Sequence, residues 1–398
     1  MLSDRAQKMK PSATMALNTK AQELTKAGRD IVSLAIGEPD WDTFEFIKIA
    51  AKKSLDEGFT KYTPAAGIPD LRSAVVERTK LDLGLSYEPN QCMIGIGAKQ
   101  VIFNALQVLC NPGDEVIIPA PYWVSYPTMA ELADAKPVIP VCPRETNFKL
   151  TPDLLKRSLT AKSKVLILNS PNNPTGQVYS EQELRDLAAV LELTGVWVIS
   201  DDIYDKMIYD GSKIAPNIAC VSEKLRGRVL LANSVSKTYS MTGWRIGSLV
   251  GDKKVIDACA NYQSQSASCG VAFAQKAAVA ALRGPQEEVQ KAMKELASRR
   301  DSAIKILRTV EDLDVVEPLG AFYIFPNISK VFGRKTPAGQ VINNSTEFCS
   351  SLIDAEGVVT VPGVEFGMEG CLRLTYTLKE ERIVEGMKRI KRFVESLR

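Results

Sequence analysis

Three apolar runs in this chain end in residues that could hold and work on a charged aromatic ligand. KVLILN (164–169) runs into SPNNPTG, VWVIS (196–200) into DDIY, and RVLLAN (228–233) into SVSKTYSMTGWRIG. Asn173 brings an amide on a proline-rich turn. Asp201 brings a carboxylate, with the Tyr204 phenol close behind. Lys237 brings an amine flanked by Ser234 and Ser236, and the Arg245 guanidinium follows. This is the set needed to hold a phosphorylated pyridine aldehyde. A carboxylate keeps the ring nitrogen protonated through a charge-assisted hydrogen bond, and a protonated ring takes up the electrons of a bond broken beside it. The amide and the phenol can bond the ring's phenolic oxygen, the amine can condense with the aldehyde, and Arg245 with the serines can bind the phosphate.

A fourth segment, QCMIGIGAKQVIFNALQVL, reads as strand, glycine-rich turn and helix. The backbone N–H groups of Gly97, Ala98 and Lys99 would open that helix, and a helix N-terminus is a ready phosphate site. A dinucleotide fingerprint would need a third glycine where Gln100 stands.

The elements that must position these residues alternate between strand and helix. Strand candidates are QCMIGI, EVIIPA, KPVIPV, KVLILN, VWVIS, RVLLAN and IGSLVG, with helical segments such as EQELRDLAAVLEL between several of them. That alternation predicts an α/β fold with a mostly parallel sheet covered on both faces. Ligands in such sheets sit beyond the carboxyl ends of strands, so the three chemistry-bearing ends can face one crevice. The large domain is expected over 45–285. A smaller α+β domain is expected over 286–398, joined by the N-terminal arm 1–44. It opens with a long helix from EEVQ, followed by GAFYIFP, VVTVPG and CLRLTY. A terminal helix then lines up Ile383, Val384, Met387, Ile390, Val394 and Leu397.

Composition excludes several function classes. There is no histidine, so Ser-His-Asp triads, Cys-His proteases and histidine-ligated metals are out, and acid–base work falls to other groups. Eight scattered cysteines without a C-x-x-C pair offer neither a metal site nor a disulfide scaffold. A net charge of +3 gives no basic stripe for nucleic acid. No run reaches membrane-spanning length, and MLSDRAQKMKPS lacks the apolar core of a secretory signal, so a cytoplasmic protein is expected.

With these segments in order, the chain resembles, end to end, the class I aminotransferases of the pyridoxal-phosphate fold type I family. The matching motifs are SVSKTYSMTGWRIG, NSPNNPTG, SDDIY, KYTPAAGIPDLR, PYWVSYP, GAFYIFP and CLRLTY. The resemblance implies a seven-stranded, mostly parallel sheet, pyridoxal 5′-phosphate as cofactor, and amino acids and 2-oxo acids as substrates. It makes Lys237 the Schiff-base lysine and the proton carrier. Asp201 becomes the ring-nitrogen partner, and Asn173 and Tyr204 the phenolic-oxygen ligands. Trp123 would stack on the ring. Ser234, Ser236, Arg245 and the turn at Gly97, Ala98 and Lys99 would form the phosphate cup. Tyr62 would reach the phosphate of a neighbouring subunit's cofactor, which implies a homodimer with shared active sites. Arg373 would clamp the substrate α-carboxylate bidentately. Gly37 would contact the same carboxylate through its backbone, with Trp123 and Asn173 bordering the substrate.

KPSATMAL and GAKQ further resemble the bacterial and plastid aspartate aminotransferase subgroup. There the lysine at the position of Lys99 helps bind the distal carboxylate, and Ser12 and Thr14 match residues that approach the site. A cation at a helix N-terminus is unfavourable by itself, which also hints at an anionic ligand beside Lys99. Aspartate with 2-oxoglutarate is the first expectation and prephenate the second. The chain departs from the usual pattern at Asp202, at Thr43-Phe44-Glu45-Phe46 and at SASCGVAF. Two other classes compete. One is a β-lyase or a synthase on the same fold, and the other is a cofactor-bound sensor domain. Bland readings stand beside each site residue: Asp201 as a helix N-cap, Asn173 as a turn former, Trp123 as core, Tyr62 as a simple interface residue.

Overall fold

The computed structural model describes residues 2–3, 6–7 and 13–398, the side chains of the last stretch from residue 19 onward. After a helix over Ala13–Lys26, the chain forms a two-residue strand, β1 (Val32–Ser33). The seven apolar runs then become β2 (Cys92–Gly95), β3 (Glu115–Ile117), β4 (Lys136–Val138), β5 (Ser163–Asn169), β6 (Trp197–Asp201), β7 (Val229–Ser234) and β8 (Gly247–Val250). They make one sheet in the order β2-β8-β7-β6-β5-β3-β4. Every pairing is parallel except those of β8, which runs antiparallel to both β2 and β7.

Both faces of the sheet are buried, which is why its strands read as continuous apolar runs rather than alternating ones. Successive side chains still point to opposite faces. Leu166 and Leu168 of β5 join a core with Leu71, Leu187 and Ala277 from the helices Pro69–Leu83, Glu181–Leu191 and Ala272–Arg283. Val165 and Ile167 join the opposite core with Val101 and Ile256 from the helices Ala98–Leu109 and Lys253–Ser266. The start of Glu181–Leu191 is fixed by a capping box. Ser180 accepts from the Glu183 backbone while the Glu183 carboxylate accepts from the Ser180 backbone.

A further core gathers around β9 (Tyr323–Ile324), β10 (Val358–Val359) and β12 (Leu372–Thr375), with β11 (Val361–Pro362) beside it. β11, β12 and β9 form an antiparallel sheet, and β10 pairs in parallel with β1. Early and late parts of the chain therefore share this unit. The helices Glu287–Leu307 and Glu380–Ser396 pack on it. On the terminal helix Val384 is only half-buried, and Phe393, absent from the expected face, is fully buried. The apolar stripe is wider than the expected set because Gly386 lets the helix approach Val32 and Leu34 closely.

Candidate active site

The register sets the chemistry in a row. Asn169 of β5 pairs with Asp201 of β6, Asp201 with Ala232 of β7, and Ser234 of β7 with Gly247 of β8. The parallel strands therefore deliver their carboxyl ends side by side, as Asn173, Asp201 and Lys237 require.

Asp201 is buried, and its carboxylate accepts a hydrogen bond from the Tyr126 hydroxyl at 2.5 Å and one from the Ile203 backbone at 3.3 Å. Burial pushes its pKa up to about 6, against the pull of the Tyr126 bond. The Asn169 side chain donates to the Asp201 carbonyl and accepts from the Asn173 backbone, which fixes the SPNNPTG turn against β6.

Lys237 sits on the turn after β7, and its amine donates to the Gly37 carbonyl at 2.5 Å. Burial lowers its pKa to about 8; Glu38 opposes the shift, and the Arg373 and Arg245 charges add to it. The amine lies 5.9 Å from the Phe322 ring centroid. An amine so placed gives up its proton near neutrality, which suits a nucleophile or a base.

The phosphate-type cradle is tightly built. Gly97, with φ of 82°, precedes the helix Ala98–Leu109 and offers no side-chain cap to its N–H groups. A Cβ on Gly97 would fall 2.5 Å from the Arg245 guanidinium, and one on Gly247 would fall 2.3 Å from the Gly97 backbone. Ser234 Oγ lies 2.7 Å from both the Ile246 carbonyl and the Ser236 hydroxyl. Arg245 donates to the Thr242 and Ile96 carbonyls.

Across the crevice stands Arg373 of β12. It donates to the Ala35 carbonyl at 2.7 Å and to the Asn173 side chain at 3.2 Å. It is buried, its guanidinium lies over the Tyr323 and Phe366 rings, and its Nε has no partner among the described residues. A buried, unpaired guanidinium is costly unless an anion completes it. Tyr204 is buried, with its hydroxyl 2.7 Å from that of Tyr323.

Not every expected residue joins this cluster. Lys99 is exposed in area, with its amine 4.8 Å over the Trp123 ring; desolvation there and the Arg245 charge lower its pKa. Trp123 packs edge to face with Tyr126. Tyr62 is 92% exposed and stands outside the cluster. Ser12 lies outside the described residues, as does the Thr14 side chain. Asp202 turns away from Asp201, towards Ser200 Oγ at 2.6 Å. Sequence reasoning missed Tyr126, Tyr323 and Asn169. Tyr126 stands three residues after Trp123 at the start of a helix, the one local signal that could have found it.

The family model for aminotransferase class I and II matches residues 29–390. The chain belongs to the class I and II aminotransferases. A probable aspartate/prephenate aminotransferase of Rickettsia bellii is 44% identical over 398 residues, covering 100% of both chains. The aspartate/prephenate aminotransferase of Cereibacter sphaeroides is 43% identical, covering 100% of this chain and 99% of that one. Among solved structures, the aspartate aminotransferase of Rhizobium meliloti superposes with a TM-score of 0.96 at 37% identity, covering 100% of both chains. That of Thermus thermophilus with maleate gives 0.91 at 38% identity, covering 99% of each. This aminotransferase thus has the fold type I architecture expected from its sequence. Among its described residues no helix is long and apolar enough to cross a membrane.

Proposed function

We propose that this aminotransferase binds pyridoxal 5′-phosphate at Lys237 and moves amino groups between aspartate and 2-oxoglutarate. The observation that carries the reading is the convergence of a near-neutral amine, a buried carboxylate and a buried guanidinium with an unbonded Nε. The cofactor fits the residues present. The Gly97 turn, Ser234, Ser236 and Arg245 form a cradle that a single added Cβ would fill. Bound, the cofactor supplies an aldehyde that condenses with amines and a cationic ring that accepts an electron pair.

The chain's own residues do the rest. Asp201 holds a proton at the ring nitrogen, with Tyr126 fixing its carboxylate. Asn173 and Tyr204 donate to the ring oxygen, and Trp123 covers a ring face. Arg373 grips the substrate α-carboxylate through its fork, beside the Gly37 backbone, which orients the Cα–H bond. Lys237, once displaced by the substrate amine, would take the proton from Cα and return it to the cofactor's former aldehyde carbon, across the nitrogen. Lys99 reaches the distal carboxylate, with Ser12 and Thr14 from the N-terminal arm alongside. We assign 45–285 to the large domain and 286–398 with 1–44 to the small one, in keeping with the core that joins Val32 and Leu34 to β9, β12 and the helices Glu287–Leu307 and Glu380–Ser396. A homodimer in which Tyr62 contacts the neighbouring subunit's cofactor, in the cytoplasm, completes the reading; the 92% exposure of Tyr62 within one chain supports it.

The test is spectroscopic. Holoenzyme mixed with single amino acids should lose its visible band fastest with aspartate and glutamate, and slower with alanine or phenylalanine. Lys99→Ala should raise KM for the dicarboxylic pair by about tenfold or more and spare the other two. Uniform loss across all four would remove Lys99 from the site. Release of pyruvate and ammonia without an acceptor would favour a lyase. A second acceptor, prephenate, is favoured by the names of the Cereibacter and Rickettsia relatives. Amino transfer from glutamate to prephenate tests it.

A pH dependence follows from Lys237. Only the neutral amine attacks an aldehyde, and its pKa is about 8. Capture of added cofactor by the apo chain should therefore speed up roughly tenfold per pH unit below that value and level off above it. Stopped-flow absorbance checks this, and a flat profile would show that the amine is not the attacking group.

A further inference from the structure

Tyr204 and Tyr323 meet hydroxyl to hydroxyl at 2.7 Å, with their rings edge to face at 5.7 Å. Tyr204 follows β6 and Tyr323 lies on β9, and both are buried in the same core. Neither hydroxyl has another hydrogen-bond partner among the described residues. Each phenol carries one proton, and burial pushes both pKa values up, that of Tyr204 well above the ordinary value. Both protons are therefore retained at working pH. One of them lies in the bond between the oxygens, so the other is free to point outward. If Tyr204 donates outward, Tyr323 must donate to Tyr204.

Two further contacts fix Tyr323 in place. Its register partner on β12 is Thr375, which sets Arg373 on the same sheet face in the diagonal position. The guanidinium indeed lies 4.8 Å over the Tyr323 ring. On the other side, a methyl group at Gly37 would sit 2.8 Å from the Tyr323 hydroxyl, so that oxygen fills the space against the peptide whose carbonyl receives the Lys237 amine. Together these contacts hold the Tyr323 ring between the Arg373 guanidinium and the Gly37 peptide.

We propose that Tyr323 is a positioning residue that donates to the Tyr204 hydroxyl, turns the single Tyr204 proton onto the ring oxygen of the bound cofactor, and backs the Arg373 clamp with its ring face. This rests on the cofactor reading above. Donation from one phenol polarises the next, so Tyr204 becomes a stronger donor than a lone tyrosine. Within that core the pair joins the segment after β6 to β9, so the ring-oxygen bond depends on how β9 is seated.

The test compares holoenzyme forms of the wild type, Tyr323→Phe, Tyr204→Phe and the double variant, titrated with pH while the cofactor's visible absorption is followed. A donor on an oxygen favours its unprotonated form, so losing the donor raises the midpoint of the spectral change. Tyr323→Phe should raise the midpoint by about half to one pH unit. Tyr204→Phe should raise it further, and the double variant should match Tyr204→Phe, because the relay acts only through Tyr204. Tyr323→Phe keeps the ring and should leave KM for aspartate near the wild-type value. Tyr323→Leu should raise that KM roughly three- to thirtyfold. A coloured wild type with an unmoved Tyr323→Phe midpoint overturns the inference, as does an equal shift in the Tyr204→Phe background. A colourless wild type overturns the cofactor reading and this inference with it.

Discussion

Lys237→Ala should lower kcat by about 10⁴-fold or more, because one substitution removes both the covalent anchor and the group that carries the Cα proton. No neighbour can stand in. The chain has no histidine, a guanidinium is too poor a base for the task, and burial holds the Tyr204 proton in place. The phosphate cradle around Gly97, Ser234 and Arg245 is untouched, so the variant should still bind cofactor, but release it on dialysis. Borohydride treatment followed by peptide mass mapping should find a reduced adduct at Lys237 in the wild type and none in the variant. Retention of more than a hundredth of wild-type kcat would mean that another base moves the proton.

Asp201→Asn carries the second large effect, and its two consequences run in opposite directions. An amide cannot supply the charge that keeps the ring nitrogen protonated. Losing one partner of a buried ion pair typically costs about 3–5 kcal/mol, so turnover should fall roughly 10²- to 10⁴-fold. The apo chain should respond differently. Burial raises the Asp201 carboxyl from 3.8 to about 6. A raised acid favours the folded state only while it is protonated, so this contribution is present below pH 4 and lost as pH rises through 6. The loss is on the order of 3 kcal/mol. Asparagine does not titrate and can still accept from Tyr126. Apo Asp201→Asn should therefore melt higher than apo wild type at pH 8, with the gap closing towards pH 4. Parallel melting curves across that range would remove the buried charge as the cause.

The sequence made the sheet legible because all its strands but the edge strand β4 are short, mostly aliphatic runs buried on both faces, a pattern that needs no partner to be recognised. Lys237, Asp201, Asn173 and Arg245 were legible for a related reason. Each sits at or just beyond a strand end, or in the turn that follows one, where topology rather than packing decides what the side chain faces. Tyr126 and Tyr323 were hidden because their hydrogen bonds join segments 75 and 119 residues apart; the spacing of Tyr126 from Trp123 is a faint local mark, and Tyr323 has none. The position of β8 was equally hidden. IGSLVG reads as a strand, but its apolar content says nothing about its direction. Lys99 shows the converse problem. Its motif suggests an anionic ligand, while the folded chain gives its amine an aromatic face to rest on.

The reversed direction of β8 has an architectural consequence. Had it run with its neighbours, the chain would have crossed to the far edge before entering it. Arg245 would then have emerged a full strand away, about 13 Å at four residues' length. Because β8 runs backwards, the excursion that leaves at Ser234 and returns at Gly247 begins and finishes on one rim. The lysine and the arginine are thus two ends of a single clasp. Insertions within that excursion would loosen the clasp without disturbing the ladder beneath, so variation in grip can be explored here at little risk to the scaffold.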